Sequence, residues 1–466
     1  MSSRIHHVPP RADYHALPAL PPVTASTPSA PRPVTGTAAG ADRIHTLDVL
    51  RGVAICGILL MNIYSMGGIT EFPIRHFPAA WNIEWMTWGA QTLFVQGAMR
   101  GLFTLLFGAG MLLMLRRAEG SDGGAAPLDV WTRRCLALMG FGTALWLVFL
   151  WPGEILWNYG VTGLFLLAFR TARPRVLIAA ALLLIAGLSA SDGYWTREQA
   201  QQLQQGRVAA VMATEGHALD TEQRAAVKVA VDEQMRLHPT PAMIADKIAQ
   251  RTHVRSLLHW SEGYWTTENL TVTGWVDVAE SLAFMLVGMA LFRAGILTGQ
   301  AQTRTYVVMA VLGYGGGLAL RGFHVALLAR SGLDMSLPVA SPALWAISEG
   351  LFQPARLLVT LGHVGAIALL FRSGALGEAV TLRALGRMTL SVYCLQAILG
   401  SILFYGFGLV GAFTLAQLWL IAGGIWIVSA IFCRQWLAHH PMGPAETLLR
   451  RIAYGSRAAA AKPAPR

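Results

Sequence analysis

The chain has 466 residues, of which 54% are hydrophobic and only 13% charged, and its mean hydropathy is +0.48. This composition lies outside the range of soluble domains, and the apolar residues fall in repeated blocks rather than in one oversized core. The formal charge of +11 does not signal nucleic acid, because the arginines sit in short loops between apolar blocks and no basic–aromatic surface motif accompanies them.

Residues 1–41 are rich in Pro, Ala, Ser and Thr, bury too little apolar surface to fold, and lack the continuous apolar core of a cleaved signal peptide. They read as a disordered cytoplasmic tail. Ten apolar segments follow, at about 49–68, 92–115, 133–151, 154–170, 175–190, 275–293, 305–327, 350–371, 387–408 and 412–433. Their long continuous runs exclude a porin-like alternation. The expected fold is all-α: a polytopic membrane helix bundle of about ten transmembrane helices with a small helical extracytoplasmic insertion.

Charge orients the bundle. With the tail inside, Arg43, Arg51, Arg116, Arg117, Arg133, Arg134, Arg170, Arg173, Arg175, Arg293, Arg304, Arg372, Arg383, Arg387, Arg434, Arg450 and Arg451 all fall on the inner side. Ten crossings satisfy this bias at every short inner turn and place both termini in the cytoplasm. The expected organisation is a tail (1–41), an N-terminal transmembrane bundle (42–190), an extracytoplasmic helical insertion (191–274), a C-terminal transmembrane domain (275–457) and a short disordered end (458–466). Within the insertion, RAAVKVAVDEQM reads as an amphipathic helix, and His259, Trp260, Tyr264 and Trp265 as an interfacial belt or an acceptor-binding lid.

Polar residues within these segments carry the candidate chemistry. Asp48 and Arg51 share a face at the mouth of the first span, where they form either a helix-start pair or a fork for an anionic cofactor. Asn62 lies about 16 Å further along, as an interhelical clamp or part of a pore. His76 is the only histidine between the first two spans, a candidate proton shuttle with Glu71 and Glu84 near it. Glu154 opens the fourth segment as a cap or as part of a polar stripe with Trp151 and Asn158. Asp277 and Glu280 share a face of the sixth. Arg321 and His324 lie late in the seventh, His363 lies deep in the eighth, and Arg387, Tyr393 and Gln396 mark the ninth. The closing GPAETLLRRIAYG reads as an interfacial helix with a Glu446–Arg450 pair, which either seals the cytoplasmic face or uses its arginines to attract phosphate or anionic lipid. The GYGGG run at 313–317 reads as close packing or a kink, and Cys56, Cys135, Cys394 and Cys433 as packing residues. No phosphate loop, HExxH, clustered cysteine site or GxSxG elbow occurs, and no metal is predicted.

The segments RIHTLDVLRGVAICGILLMNI and GRMTLSVYCLQAILG, with GPAETLLRRIAYG, resemble the DUF418 (YeiB-like) family of bacterial inner-membrane proteins, from about residue 43 to 457. The opening motif is also similar to that of the heparan-alpha-glucosaminide N-acetyltransferase group of transmembrane acyltransferases. The latter resemblance implies roles for Asp48, Arg51, Gly52, Asn62 and His76. Cytoplasmic acetyl-CoA or another acyl-CoA would be the co-substrate, and a sugar or other small-molecule or cell-envelope acceptor would approach from outside. His76 would act as catalytic base or acylated intermediate, with Asp48, Arg51, Asn62, Glu154, Arg321, His363, Arg387 and Gln396 as substrate- or cofactor-binding candidates. Three readings follow: an acyltransferase, a secondary transporter working around His363, Glu154 or Gln396, and an envelope scaffold.

Overall fold

A chain crossing lipid must satisfy its backbone groups internally, and this one does so with helices throughout. The computed structural model describes residues 44–72, 82–119, 127–330 and 341–455, with no strand among them. The predicted tails at 1–41 and 458–466 lie outside the described residues.

The helices are α1 (His45–Gly67), α2 (Ile83–Ala90), α3 (Ala98–Glu119), α4 (Pro127–Phe149), α5 (Leu156–Leu166) and α6 (Pro174–Thr214), then α7 (Thr221–Leu237), α8 (Pro241–Thr252), α9 (Val254–Leu270), α10 (Val272–Arg293) and α11 (Thr303–Arg330). They continue with α12 (Pro342–Gly350), α13 (Phe352–Arg372), α14 (Val380–Arg387), α15 (Thr389–Ser401), α16 (Leu415–His439) and α17 (Pro444–Tyr454). A π-helical turn, Gln91–Val95, follows α2, and a second, Ile402–Gly406, follows α15.

Every one of the ten apolar segments is helical. Among the described residues, eight stretches are long and apolar enough to cross a membrane: His45–Gly67, Ile83–Leu115, Pro174–Thr214, Val272–Arg293, Thr303–Leu328, Pro342–Arg372, Thr389–Gly406 and Leu415–His439. The third and fourth segments are α4, which opens on Asp129 with Arg133 and Arg134 close behind, and the shorter apolar stretch Leu156–Phe169. The fifth segment differs from expectation in length. No proline or glycine pair stops it at the membrane boundary, so α6 runs on for 41 residues, about 60 Å, into the insertion. The remainder of the insertion is helical too. RAAVKVAVDEQM lies within α7, entered through a capping box between Asp220 and Gln223, and Gly206 lets α7 approach α6 closely at Ala226.

Packing rests on two reciprocal glycine contacts. On α3 and α10, a methyl group at Gly108 would overlap the Met285 carbonyl, and one at Gly288 the Leu105 carbonyl. On α1 and α14, one at Gly52 would overlap the carbonyl of Leu382, and one at Gly386 that of Asp48. Bare backbone at these positions lets the helices meet where any side chain would hold them apart. Gly313 and Gly317 do the same for α11 on α13, so the glycine run serves close packing.

Residues from Ile44 onward form one unit in which early and late helices interleave: α1 lies against α14, α15 and α16, and α10 against α3, α5 and α6. The turns carrying most arginines meet at one end. Arg293 donates to the carbonyls of Ala172 and Arg170, Arg372 donates to Ala301 at 2.7 Å, and Thr46 at the start of α1 abuts Gly299. The insertion covers the other end.

Candidate functional site

The second span is broken. Its backbone leaves the π-helical turn at Gln96, turns through Gly97 at φ +71° and restarts as α3, which strands several carbonyls inside the bundle. Side chains from α11 and α13 take them up. Arg321 donates through Nη1 to Thr92 O (2.7 Å) and Leu93 O (3.2 Å), and through Nη2 to Gln96 O (2.7 Å). At the restart of the helix, Arg356 Nε adds a second donor at 2.8 Å to Gly97 O, which already accepts from Gly101 N, and Thr360 Oγ1 donates to Ala98 O at 3.1 Å. His363 Nε2 lies 2.8 Å from Phe94 O and so carries the proton, leaving Nδ1 to accept from Tyr314 Oη at 2.8 Å. Each unmet carbonyl in hydrocarbon would cost several kcal/mol. Two sequence candidates, Arg321 and His363, therefore converge on one feature, the brace of the break.

Beside the brace lies a buried charge network. Arg356 Nη1 stands 2.5 Å from Glu280 Oε2, which also accepts from Gln353 Nε2 at 3.1 Å. Arg100 Nη2 is 3.1 Å from Asp277 Oδ2 and 3.6 Å from Glu280 Oε1. Thr104 Oγ1 and Tyr159 Oη are 2.5 Å apart next to this group, and Ser281 Oγ donates to Asn158 Oδ1 at 2.7 Å. Sequence reading placed Asp277 and Glu280 on one face but missed Arg356. The signal was present: Gln353, Arg356, Thr360 and His363 recur at helical spacing and form a polar stripe along α13. His324, three residues after Arg321, faces elsewhere, toward Ser348 Oγ at 2.9 Å and Glu349 Oε1 at 3.5 Å.

At the arginine-rich end, Arg51 Nη1 lies 3.5 Å from Asp48 Oδ1, and Arg134 of α4 is within electrostatic reach of Arg51. Arg387 Nη2 donates to Pro441 O at 3.0 Å. Glu446 does not pair with Arg450 as its spacing suggested. Its Oε1 accepts from the Leu390 and Ser391 amides at 2.7 and 3.2 Å, and its Oε2 from Ser391 Oγ at 2.5 Å, so α17 caps the N-terminus of α15. A helix N-terminus attracts any carboxylate that can reach it, and this tertiary cap prevails over the local pair.

Glu154 is a buried cap. Its Oε2 accepts from the Leu156 and Trp157 amides at 2.6 and 3.0 Å, and Trp265 of the insertion donates to Oε1 at 3.5 Å. Tyr393 Oη accepts from Ile155 N at 3.0 Å. Gln396 is buried, and its Nε2 has no partner among the described residues. Asn62 is half-buried, and its side chain makes no hydrogen bond among them.

At the covered end, Arg251 of α8 is fully buried. Its Nη2 contacts both oxygens of Glu71 at 2.5 Å, its Nη1 donates to Gly68 O at 2.8 Å, and its guanidinium lies 4.4 Å above the Trp260 ring. Trp265 stacks on Trp146 at 4.1 Å, so it is a packing contact between insertion and bundle rather than part of an interfacial belt. His76 lies outside the described residues. The two acids that flank it in sequence are engaged by other groups: Glu71 by Arg251, and Glu84 by Thr414 Oγ1 (2.7 Å) and Ala416 N (3.3 Å) at the start of α16.

Fold and site together define a polytopic helical membrane protein with polar groups at both ends of α1 and a charge network beside a broken span. Residues 291–456 match the family model described as "Protein of unknown function (DUF418)". It is 27% identical over 431 residues to the uncharacterized protein YxaH of Bacillus subtilis (strain 168), covering 89% of this chain and 94% of that one. It is 26% identical over 442 residues to the uncharacterized protein YeiB of Escherichia coli (strain K12), covering 88% and 96%. An uncharacterized 39.9 kDa protein encoded in the amylase 3′ region of Bacillus acidopullulyticus is 34% identical over 136 residues, covering 29% of this chain and 36% of that one. No solved structure matches.

Proposed function

We propose that the chain is a membrane-embedded acyltransferase that moves an acyl group from acyl-CoA at the arginine-rich end to an acceptor at the covered end. The observation that carries this reading is the course of α1. Its first turns set Asp48 and Arg51 beside Arg134, a place suited to the phosphates of a CoA donor. Its other end passes Asn62 and leads to Glu71, held by the buried Arg251, five residues before His76. In direct transfer, the acceptor oxygen or nitrogen attacks the thioester carbonyl carbon while His76 takes its proton. The carbon–sulfur bond then breaks, and the CoA thiolate receives a proton from the imidazolium. In the two-step route His76 carries the acyl group between the same two bond changes. The membrane is the bacterial inner membrane, with the arginine-rich end and both termini in the cytoplasm. The test is transfer of radiolabelled acetyl groups to an acceptor mixture by reconstituted protein. His76→Ala should abolish transfer while acetyl-CoA still binds; unchanged turnover would remove His76 from the chemistry.

One observation favours a second reading, a secondary transporter. The interrupted span inside the bundle, with a charge network beside it, is the kind of broken helix at which carriers build a substrate site. Counterflow of a labelled solute in vesicles, lost on Arg321→Ala, would support it over acyl transfer.

A further inference from the structure

We infer that Gln396 of α15 donates a hydrogen bond to an uncharged carbonyl group of a ligand held between α15 and α1, level with Asn62. The identity of that ligand rests on the acyl-transfer reading, in which the carbonyl is the donor's thioester. Gln396 is 3% exposed, and its Nε2 has no partner among the described residues. A buried amide left in this state costs stability, so a purely structural role does not account for it. Tyr393, three residues earlier on the same face of α15, accepts from Ile155 N at 3.0 Å, so this face looks onto the segment from Trp151 to Ile155. Trp151 is buried there, and its indole N–H finds no acceptor in hydrogen-bond geometry. Toward the covered end, Met66 Sδ fills the place that a side chain on Gly400 would take. α1 and α15 both run from the arginine-rich end to the covered end. Asn62 and Gln396, each four residues before that contact, therefore stand one turn inward at the same height.

The empty groups define the chemistry of the ligand. Gln396 Nε2 and Trp151 Nε1 can only donate, so the missing partner supplies acceptor oxygens. No residue from Val53 to Gly68 on α1 or from Thr389 to Ser401 on α15 is charged, and the ionisable group of the segment facing them is the Glu154 carboxyl. A carboxylate or phosphate would find no cation on these walls and would be costly to bury, whereas a neutral carbonyl needs only the donors. Asn62 is half-buried although α3, α13, α14, α15 and α16 pack around α1, which leaves room beside it. Arg51 and Asn62, eleven residues apart, lie about 16 Å from each other along α1 and within about 20° of one face. An acyl-CoA with its phosphates at Arg51 would lay its uncharged pantetheine arm along that face and bring its thioester carbonyl to Gln396.

The experiment is calorimetry of the full chain in detergent with acetyl-CoA and with S-acetylpantetheine, which lacks the nucleotide and its phosphates. The unfolding temperature of each ligand-free sample is measured beside it. Gln396→Met keeps the bulk of the side chain and removes the donor. It should weaken both ligands about tenfold or more, the loss of one buried hydrogen bond. It should leave the unfolding temperature of ligand-free protein unchanged or higher, because an unpartnered amide is removed; an amide held by the fold would lower it. Should Gln396→Met fold poorly, Gln396→Asn, which draws the amide back by one carbon, carries the same binding test. Undiminished binding by the folded variants, or no binding of either ligand by wild type, would overturn the site. Acetyl-CoA binding that Arg51→Ala weakens and Gln396→Met does not would remove the site and keep the acyltransferase. S-acetylpantetheine binding that Gln396→Met weakens, in protein that transfers no acetyl group, would keep the site and remove the reaction.

Discussion

Glu280 and Arg356 stand 2.5 Å apart in the interior of the bundle, one on α10 and the other on α13, and Arg356 also holds the Gly97 carbonyl where the second span is interrupted. The pair therefore ties an ionic contact to a backbone break. Removing Glu280 leaves the buried Arg356 charge unmatched, and removing Arg356 leaves Glu280 to the longer contact with Arg100 at 3.6 Å; breaking a buried pair costs about 3–5 kcal/mol. Arg356→Met should lower the unfolding temperature markedly in detergent. Glu280→Gln combined with Arg356→Met should cost less than Arg356→Met alone. Equal loss in the single and double variants would show that Arg356 stabilises mainly through the Gly97 carbonyl.

The glycine contact between α3 and α10 gives a packing prediction. Gly288→Leu forces the two helices apart at Leu105 and should destabilise by at least the ~1–3 kcal/mol typical of overpacking, with reduced yield of folded protein. Gly187→Leu is its control, since nothing lies within 4 Å of the space its side chain would enter. Comparable yields of the two variants would contradict the close approach.

Glu268 carries a pH dependence. Its carboxyl is raised above the ordinary range, first by burial and then by Asp277, with Arg100 opposing. A raised acid binds its proton more tightly in the folded state, so the charged form costs stability at neutral pH and the cost disappears as pH falls through the folded pKa. Glu268→Gln should raise the unfolding temperature at pH 7 and have no effect near pH 4. A variant that lowers it at pH 7 would mean the carboxylate has a compensating partner.

How much of this was legible beforehand differs by element. All ten apolar segments appear as helices because lipid leaves a long apolar run no other way to satisfy its backbone. The length of α6 was not legible, since the sequence marks where lipid contact ends but contains nothing that breaks a helix there. At the site, Asp277 and Glu280 were readable from their spacing, because helical geometry is local. Arg251 and Glu71, 180 residues apart, were not, and neither was the Glu446 cap on α15, since in each case only the assembled bundle brings the partners together. The break at Gln96–Gly97 was hidden by an apolar run that hydropathy reads as continuous.

Orientation has a direct readout. A cysteine placed at His217, exposed in the insertion, should react with a membrane-impermeant maleimide in intact cells, whereas one at exposed Ser373 in the turn after α13 should react only after the membrane is opened. The opposite pattern would invert the bundle and place the arginine-rich end outside.

The acyltransferase reading depends most on whether the arginine-rich end of α1 holds a CoA donor. Calorimetry of acetyl-CoA with purified full-length protein, wild type beside Arg51→Ala, measures this. The account predicts saturable binding that Arg51→Ala weakens about tenfold or more, with affinity falling as salt rises. Folded wild-type protein that binds neither acetyl-CoA nor longer acyl-CoAs would contradict it and leave transport across the broken span as the standing explanation.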